Sequence, residues 1–152
     1  HGRMNTQDSI PVNLAQRLVF TVNQYQAYLS RHLKEYRIGS SEYPVLIYLV
    51  HRESEGDGTL KVSQSDIAQR QHRDPALITR AARSLAEKGL ITVHPDPENR
   101  ARNVLRLTPA GREAAVKVEE LVSAWEEEAQ GGLDEQERRQ LGDLLARLEL
   151  PR

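Results

Sequence analysis

The 152-residue sequence contains no cysteine, and it has one methionine, one tryptophan and one phenylalanine. Without cysteine, the chain has no disulfide, no thiolate nucleophile, no cysteine-ligated zinc site and no cysteine redox switch. No apolar run approaches the roughly 18 residues that a membrane span needs, and the first residues lack the pattern of a secretory signal. We therefore expect a cytoplasmic protein, and we interpret residues 1–3 as an expression remnant ahead of Met4.

Motifs of catalysis are also missing from the sequence. There is no glycine-rich phosphate loop, no nucleophile elbow and no metal-hydrolase motif. The many carboxylates near the end of the chain have no partner residues that predict a catalytic pocket. We therefore predict that the protein is not an enzyme and that it needs no cofactor.

Charge is distributed unevenly along the chain, although the formal net charge is only −1. Residues 1–60 carry six basic and six acidic side chains and so have no net charge. Residues 61–112 carry ten basic and five acidic side chains, and residues 113–152 carry five basic and eleven acidic ones. A basic middle beside an acidic end is typical of a nucleic-acid-binding face on an otherwise neutral protein. Scattered surface charge is the alternative interpretation.

Apolar residues at helical spacing predict long helices at both ends of the chain. The first is expected over about 12–36 and a second over about 42–52. Near the other end, Thr108-Pro109 predicts the start of a helix that stops at Gly131. The pair Asp134 and Glu137 resembles a capping box that opens the last helix.

The middle of the chain has the signals of two shorter helices. Ser63, with Asp66 three residues later, predicts a capping box and a helix to about residue 71. Asp74-Pro75 predicts the start of the next helix, which should end at Gly89.

Short strands are expected beside these helices. Leu60–Val62 suggests one, and two more are predicted over 91–94 and 103–107, joined by a loop at 95–99. The fold class predicted is mainly α with a small β-hairpin wing: a winged helix-turn-helix with N- and C-terminal dimerisation helices.

A helix-turn-helix places its second helix in the DNA major groove, with the residues of its N-terminal end toward the bases. Arginine can bind the two acceptors of guanine, and threonine can contact a thymine methyl or a phosphate. Hydroxyls and amides at the start of the first helix can hold phosphate, and arginines of the hairpin can reach the flanking backbone or minor groove. The candidate DNA-binding residues are Lys61, Ser63, Gln64, Ser65, Arg73, Pro75, Ala76, Thr79, Arg80, Arg83, Arg100 and Arg102. The alternative is a helical domain whose arginines are exposed to solvent and do not bind DNA.

Five segments of this region, taken together, resemble the MarR family of bacterial transcription regulators. They are Val62–Ala68, Leu77–Arg80, Leu85–Ile91, Pro95–Arg100 and Leu105–Gly111. Their order and spacing match throughout the DNA-binding lobe, and the flanking helices match in length. The resemblance implies a dimer that binds a pseudo-palindromic operator, as a repressor released by a small aromatic or phenolic acid.

The sequence departs from the family pattern in the wing. The family usually has an aspartate and, two residues later, an arginine, where this chain has Asn99 and Ala101. Arg100 and Arg102 flank the missing arginine and are the candidates to replace it.

Apolar stripes on the terminal helices predict a dimer interface, because pairing them across a two-fold axis would bury them. Packing of the same helices within one chain is the alternative. The predicted organisation is an N-terminal dimerisation helix at 4–38, a DNA-binding lobe at 39–111 and C-terminal dimerisation helices at 112–152. Such a dimer would hold its two recognition helices about 34 Å apart.

In the family that the chain resembles, effectors bind between the dimerisation helices and the DNA-binding lobe. An arginine can pair with a carboxylate, and tyrosine or histidine can hold an aromatic ring. The candidate ligand residues are Arg17, Tyr25, Tyr28, His32, Tyr36, Tyr43 and His51. Tyrosines at helical spacing can equally belong to the core or to the dimer interface.

Two other functions remain open at this point. His32, His51, His72 and His94 can be ligands of a metal sensor, although their spacing forms no recognised pattern. A winged helix can also bind protein instead of DNA, and loss of operator binding on replacement of Arg80 and Arg83 would separate these two.

Overall fold

A computed structural model describes residues 13–56 and 61–149 of the chain. Helix α1 (Leu14–Leu33) runs into a 3-10 turn (Lys34–Tyr36), and helix α2 (Tyr43–Glu55) follows. The two helices predicted over 12–36 and 42–52 are therefore confirmed within a few residues at each end. Position 12 lies outside the described residues.

The helix-turn-helix is formed by α3 (Gln64–Arg70) and α4 (Pro75–Glu87), after the two-residue strand β1 (Val62–Ser63). Both predicted caps are present. The Ser63 hydroxyl accepts from the Asp66 amide while the Asp66 carboxylate accepts from the Ser63 amide, and Asp74 accepts from the amide of Ala76. Gly89 follows α4 with a φ of +75°, the left-handed conformation that ends helices.

The wing is a hairpin of β2 (Ile91–Asp96) and β3 (Asn99–Leu107), and the antiparallel sheet has the strand order β1-β3-β2. The connection predicted at 95–99 is present but shorter, a turn at Pro97 and Glu98, because Pro95 and Asp96 still pair with β3. Proline is tolerated here because β2 is an edge strand, whose outward amides need no partner. Position 60 of the predicted strand at 60–62 lies outside the described residues.

Two helices complete the described chain, α5 (Pro109–Ala129) and α6 (Glu135–Ala146), which are capped by Thr108 and Asp134. The predicted fold class, mainly helical with a small wing, is confirmed. Within residues 13–56 and 61–149, no helix is both long and apolar enough to span a membrane.

The core is formed by one side of each element of the lobe and by the C-terminal half of α1. Leu29 and Leu33 of α1 are fully buried, and Val118 of α5 joins the same cluster. In contrast, the N-terminal half of α1 and nearly all of α6 stay exposed. The packing therefore leaves two apolar helix faces outside the core.

An ion pair with a buried carboxylate ties the start of α2 to the end of α4. Glu42, just before α2, is 4% exposed, and its carboxylate accepts from Lys88 Nζ at 2.8 Å and from the Gly39 amide at 2.7 Å. Lys88 also donates to the carbonyl of Arg37. Burial would raise the pKa of Glu42, but the hydrogen bonds from Lys88, Ser84 and Gly39 outweigh burial and hold that pKa below its usual value.

We expect Glu42→Gln to lower the free energy of unfolding by about 2 kcal/mol at pH 7, because the buried carboxylate loses its charge and with it the charged hydrogen bonds from Lys88 and the Gly39 amide. A lowered pKa in the folded state means that the stabilisation is present above the unfolded pKa of glutamate and is lost as the pH falls through the folded pKa. Urea denaturation at pH 7, 5 and 3 should therefore show the difference from the parent protein shrinking in acid. The matched control is Glu55→Gln, whose exposed carboxylate pairs with Arg52. A difference that does not change with pH would contradict this prediction.

Candidate nucleic-acid interface

Helix α4 divides its residues between the core and solvent. One face is buried, and its members are Ile78, Ala81, Ala82 and Leu85. That packing turns the opposite face outward, where Thr79, Arg80 and Arg83 are exposed together with Pro75 and Ala76. The sequence predicted these five residues as a recognition surface, and the structure brings them together on one side of the lobe.

The start of α3 lies against this face. The Thr79 hydroxyl is 3.3 Å from Gln64 Oε1 and 3.0 Å from the carbonyl of Pro75. Ser65, next to Gln64, is exposed. A groove of about 440 Å³ separates α4 from the wing, and Gln64, Thr79, Arg83 and Asn103 are among its lining residues. Asn103 was not predicted as a site residue, because no signal in the sequence distinguishes it from other polar strand residues.

Ser63 was wrongly predicted to contact phosphate. Its side chain is fully buried, and its hydroxyl accepts from the Asp66 amide at 3.1 Å and lies 3.0 Å from the Ser65 hydroxyl. Because the same hydroxyl cannot cap α3 from inside the fold and also meet DNA, Ser63 has a structural role.

The two wing arginines differ in their surroundings. Arg100 is exposed near the tip of the hairpin, whereas Arg102 is half-buried, with Nη2 3.5 Å from Asp66 Oδ2 and Nε 3.8 Å from Asp96 Oδ2. Lys61, another predicted phosphate contact, pairs with Asp96 at 3.1 Å and Glu98 at 3.6 Å. Lys61 and Arg102 therefore face acidic residues of their own chain.

Arg73 was also predicted on the DNA-binding surface, and the structure places it elsewhere. It lines a groove of about 350 Å³ between α1, α2 and the turn of the helix-turn-helix. Val22, Tyr25, Pro44 and Ile47 form much of its apolar wall. We call this space the α1–α2 groove.

Two residues that line the α1–α2 groove each have a buried polar atom without a hydrogen-bond partner. Arg73 Nη1 and Gln71 Oε1 are both buried and have no hydrogen-bond partner among the described residues. The Gln71 amide nitrogen is fixed, because it donates to the carbonyl of Pro44 at 3.0 Å. A buried guanidinium nitrogen without an acceptor is costly, and Arg73 is one of the residues that line this groove.

The seven residues predicted to bind a ligand do not converge on one cavity. Tyr25 and Tyr43 both line the α1–α2 groove, with ring centroids 6.3 Å apart. Burial raises the pKa of Tyr25 to about 12, helped by Tyr43 and Glu126, and burial also raises the pKa of Tyr43. Both phenols therefore stay protonated and can act as hydrogen-bond donors at neutral pH.

The other five predicted ligand residues lie apart from this groove. Tyr28 and His32 stack on each other with centroids 4.1 Å apart, and His51 is 2.8 Å from a carboxylate oxygen of Glu119. Arg17 and Tyr36 are exposed, one in the first half of α1 and the other in the 3-10 turn. Of the seven candidates, the structure brings Tyr25 and Tyr43 together in this groove and places the other five elsewhere.

The histidines give no support to a metal site. His72 and His94 are exposed in the turn and in the wing, far along the chain from His32 and His51. Over the described ranges 13–56 and 61–149, no group of three or more histidine, aspartate or glutamate side chains is placed to hold a metal ion.

Comparisons with known proteins give one family match and two relatives described as transcriptional regulators. Residues 58–103 match the model of the MarR family. The chain is 30% identical over 111 residues to the uncharacterized HTH-type transcriptional regulator YdgJ of Bacillus subtilis (strain 168), which covers 73% of this chain and 63% of that protein. It is 34% identical over 87 residues to a putative transcriptional regulatory protein for the hcr operon of Thauera aromatica, covering 57% and 52% respectively. The chain thus spans less than two thirds of the length of either relative.

Solved structures share the whole fold at low identity. A crystal structure of MarR has a TM-score of 0.78 at 23% identity and covers 96% of this chain and 92% of its own. The S. aureus MepR–DNA complex has a TM-score of 0.77 at 20% identity, with 90% and 95% covered. CouR from Rhodococcus jostii RHA1, bound to p-coumaroyl-CoA, has a TM-score of 0.74 at 18% identity, with 88% of both chains covered. The fold described above is that of these winged-helix proteins.

Proposed function

We propose, from the match of residues 58–103 to the model of the MarR family, that the protein is a MarR-type homodimeric repressor that binds a pseudo-palindromic operator. The observation that carries the proposal is the outward face of α4, where Arg80 and Arg83 stand exposed beside Thr79. Arginines on an exposed helix can read guanine in the major groove. The crystallised complex of MepR with DNA supports the same use of the fold.

The unburied apolar faces support a dimer formed by residues 4–38 and 112–152. On α1, on α6 and just beyond α6 they present large side chains to solvent, and these are Leu14, Leu18, Val19, Phe20, Val22, Leu141, Leu144, Leu145 and Leu148. Such contiguous apolar surface is unusual on a monomer. Packing of all terminal helices within one chain is disfavoured, because α6 contributes no buried residue. Light scattering on the purified protein should give twice the 17.2 kDa chain mass.

Binding to DNA that flanks the protein's own gene is the direct test. Fluorescence anisotropy over a series of salt concentrations should show tight, salt-sensitive and sequence-selective binding. Titration with salicylate tests the effector at the same time. Binding that ignores salicylate would keep the DNA-binding function and remove the aromatic-acid effector, whereas unselective binding at low salt would favour a protein-interaction module.

The α1–α2 groove is where we propose that the effector binds. Its apolar walls suit an aromatic ring, and the unpaired Arg73 Nη1 suits a carboxylate. Arg73 thereby takes the role first given to Arg17. CouR, bound to p-coumaroyl-CoA, supports an effector with a phenolic ring.

Arg73 also connects the proposed effector site to α4. It lies in the turn between α3 and α4, directly before the cap residue Asp74. An effector that binds more tightly to one conformation of this turn than to another shifts the helix-turn-helix toward that conformation. The change in operator affinity cannot exceed the difference between the effector's affinities for the two conformations.

We expect Arg73→Gln to weaken salicylate binding at least about tenfold, because a charged hydrogen bond to a carboxylate contributes roughly 1.5–3 kcal/mol. Trp125, the one tryptophan in the sequence, packs on Tyr25 with centroids 5.0 Å apart, so its fluorescence can report the titration. The matched control is Arg17→Gln, which removes the same charge from an exposed position of α1. If Arg17→Gln weakens binding and Arg73→Gln does not, the effector does not use this groove.

A further inference from the structure

Asp96 is a buried carboxylate in an exposed hairpin. It is 5% exposed, although its neighbours Pro95, Pro97 and Glu98 are all exposed. A carboxylate is kept out of water only where charges or hydrogen bonds compensate for the lost hydration. The surroundings of Asp96 provide both.

Each group around Asp96 comes from a different part of the lobe. Its Oδ1 accepts from the Glu98 amide at 3.0 Å, within the hairpin turn, and from Lys61 Nζ at 3.1 Å, next to β1. Its Oδ2 lies 3.8 Å from Nε of Arg102 on β3. One carboxylate therefore joins the end of β2 to the hairpin turn and to both other strands.

The network continues into the helix-turn-helix. Arg102 Nη2 is 3.5 Å from Asp66 Oδ2, and Asp66 belongs to the capping box that opens α3. The amide of Glu98 and the ammonium of Lys61, opposed by burial, hold the pKa of Asp96 below its usual value, so that Asp96 is charged at neutral pH. The wing is thus connected to the first helix of the DNA-binding unit through a chain of opposite charges.

We propose that Asp96 is the positioning residue of the wing, that it holds Lys61 and Arg102 as internal counter-ions, and that this leaves Arg100 as the arginine of the wing that meets DNA. The inference rests on the proposed DNA-binding function. It also accounts for the unusual wing sequence, in which Asn99 and Ala101 replace the aspartate and arginine of the family pattern. Asp96 at the end of β2 and Arg102 on β3 provide an acid and a base within the same hairpin.

The direction of the change in DNA affinity distinguishes a positioning role of Asp96 from a purely electrostatic one. Asp96→Asn removes a negative charge from a lobe that attracts phosphate, so that electrostatics alone predicts tighter DNA binding. Loss of positioning predicts the opposite, because Arg100 is no longer held toward the DNA. Asparagine can still accept from the Glu98 amide, so the substitution tests the charge while the turn is preserved.

The experiment measures operator affinity of the dimer by anisotropy at several salt concentrations. We expect Asp96→Asn to weaken binding tenfold or more and to reduce the slope of log affinity against log salt by about two, as each protomer of the dimer loses one phosphate contact. The matched control is Glu98→Gln, which removes the same charge from an 85% exposed side chain of the same hairpin. It should leave affinity unchanged or slightly raised. Unchanged or tighter binding by Asp96→Asn would overturn the proposal.

Arg102 needs its own test, because it can act either on DNA or through Asp96. If it acts through Asp96, the double variant Asp96→Asn with Arg102→Gln binds operator no more weakly than Asp96→Asn alone. If the two losses multiply instead, Arg102 contacts DNA independently and its assignment as a counter-ion is wrong.

Hydrogen exchange of the free protein separates this inference from the proposed function. We expect faster amide exchange over residues 99–104 in Asp96→Asn than in Glu98→Gln, with equal melting temperatures of the whole fold. This result would stand even if the parent protein bound no operator, which would instead count against DNA binding. Equal exchange in the two variants would overturn the positioning role.

Discussion

Replacing Arg80 and Arg83 together by alanine is expected to lower operator affinity by at least about 100-fold. Each arginine that pairs with a base contributes roughly 1–3 kcal/mol, and a dimer presents every such contact twice. Both side chains are exposed on α4, whose opposite face supplies four buried residues to the core, so their removal should leave folding intact. Anisotropy with operator and with shuffled DNA of the same length gives the measurement. The affinity ratio between the two DNAs should fall along with the affinity itself.

The control for this pair is Arg31→Ala with Arg139→Ala. It removes the same two charges from exposed positions on α1 and α6, outside the winged lobe. A general loss of positive charge would affect both double variants alike, whereas loss of base contacts affects only the first. If the two behave alike, Arg80 and Arg83 are not the residues that recognise sequence, and the recognition surface has to be sought elsewhere.

A second large effect is expected at Gly111, in the first turn of α5. An ideal Cβ at this position would lie 1.9 Å from the carbonyl oxygen of Leu90 and 3.2 Å from Leu107 Cδ2. The Leu90 carbonyl is held in place, because it accepts from the Thr108 amide at 3.0 Å. Since the obstacle is backbone, we expect Gly111→Ala to destabilise the fold by about 3 kcal/mol or more.

Thermal unfolding measures this effect, and the chain contains its own control. For a chain of this size the melting temperature should fall by about 6–12 °C. Gly142→Ala, within α6, meets nothing within 4 Å and should instead raise stability slightly, as alanine is the better helix former. A Gly111→Ala protein that melts within about 2 °C of the parent would show that α5 moves away from Leu90 without penalty.

Local signals predicted the helices well, because each one depends on residues close together in sequence. Asp74-Pro75 and Gly89 bound α4 at both ends, and the capping box of Ser63 and Asp66 opens α3. The same locality explains why the predicted connection in the wing was too long. Taken alone, a proline at position 95 indicates a loop. Whether Pro95 can instead belong to an edge strand depends on pairing with β3, which lies later in the chain.

Side-chain roles were harder to predict than the helices and strands. Ser63, Arg73 and Arg102 belong to residue types that bind phosphate, and composition gives no way to distinguish them from Gln64, Arg80 or Arg100. Packing makes the difference: Ser63 is turned into the core, Arg73 lines a groove with Gln71, and Arg102 faces Asp66 and Asp96. The sequence around Asp96 offers one signal, its place directly before Pro97. That signal indicates a turn, and it does not predict the charge network of Asp96.

The sequence by itself determined the order and approximate bounds of the helices, the amphipathic character of α4 and the resemblance to a family of regulators. These follow from periodicity and from caps, which are interactions between residues a few positions apart. Only the tertiary structure decided which charged side chains are exposed on α4 and the wing and which pair with each other. Lys61 and Asp96 lie 35 positions apart, and Arg102 and Asp66 lie 36 apart. Whether such residues become neighbours depends on how the strands and helices pack, and that packing is a property of the whole lobe.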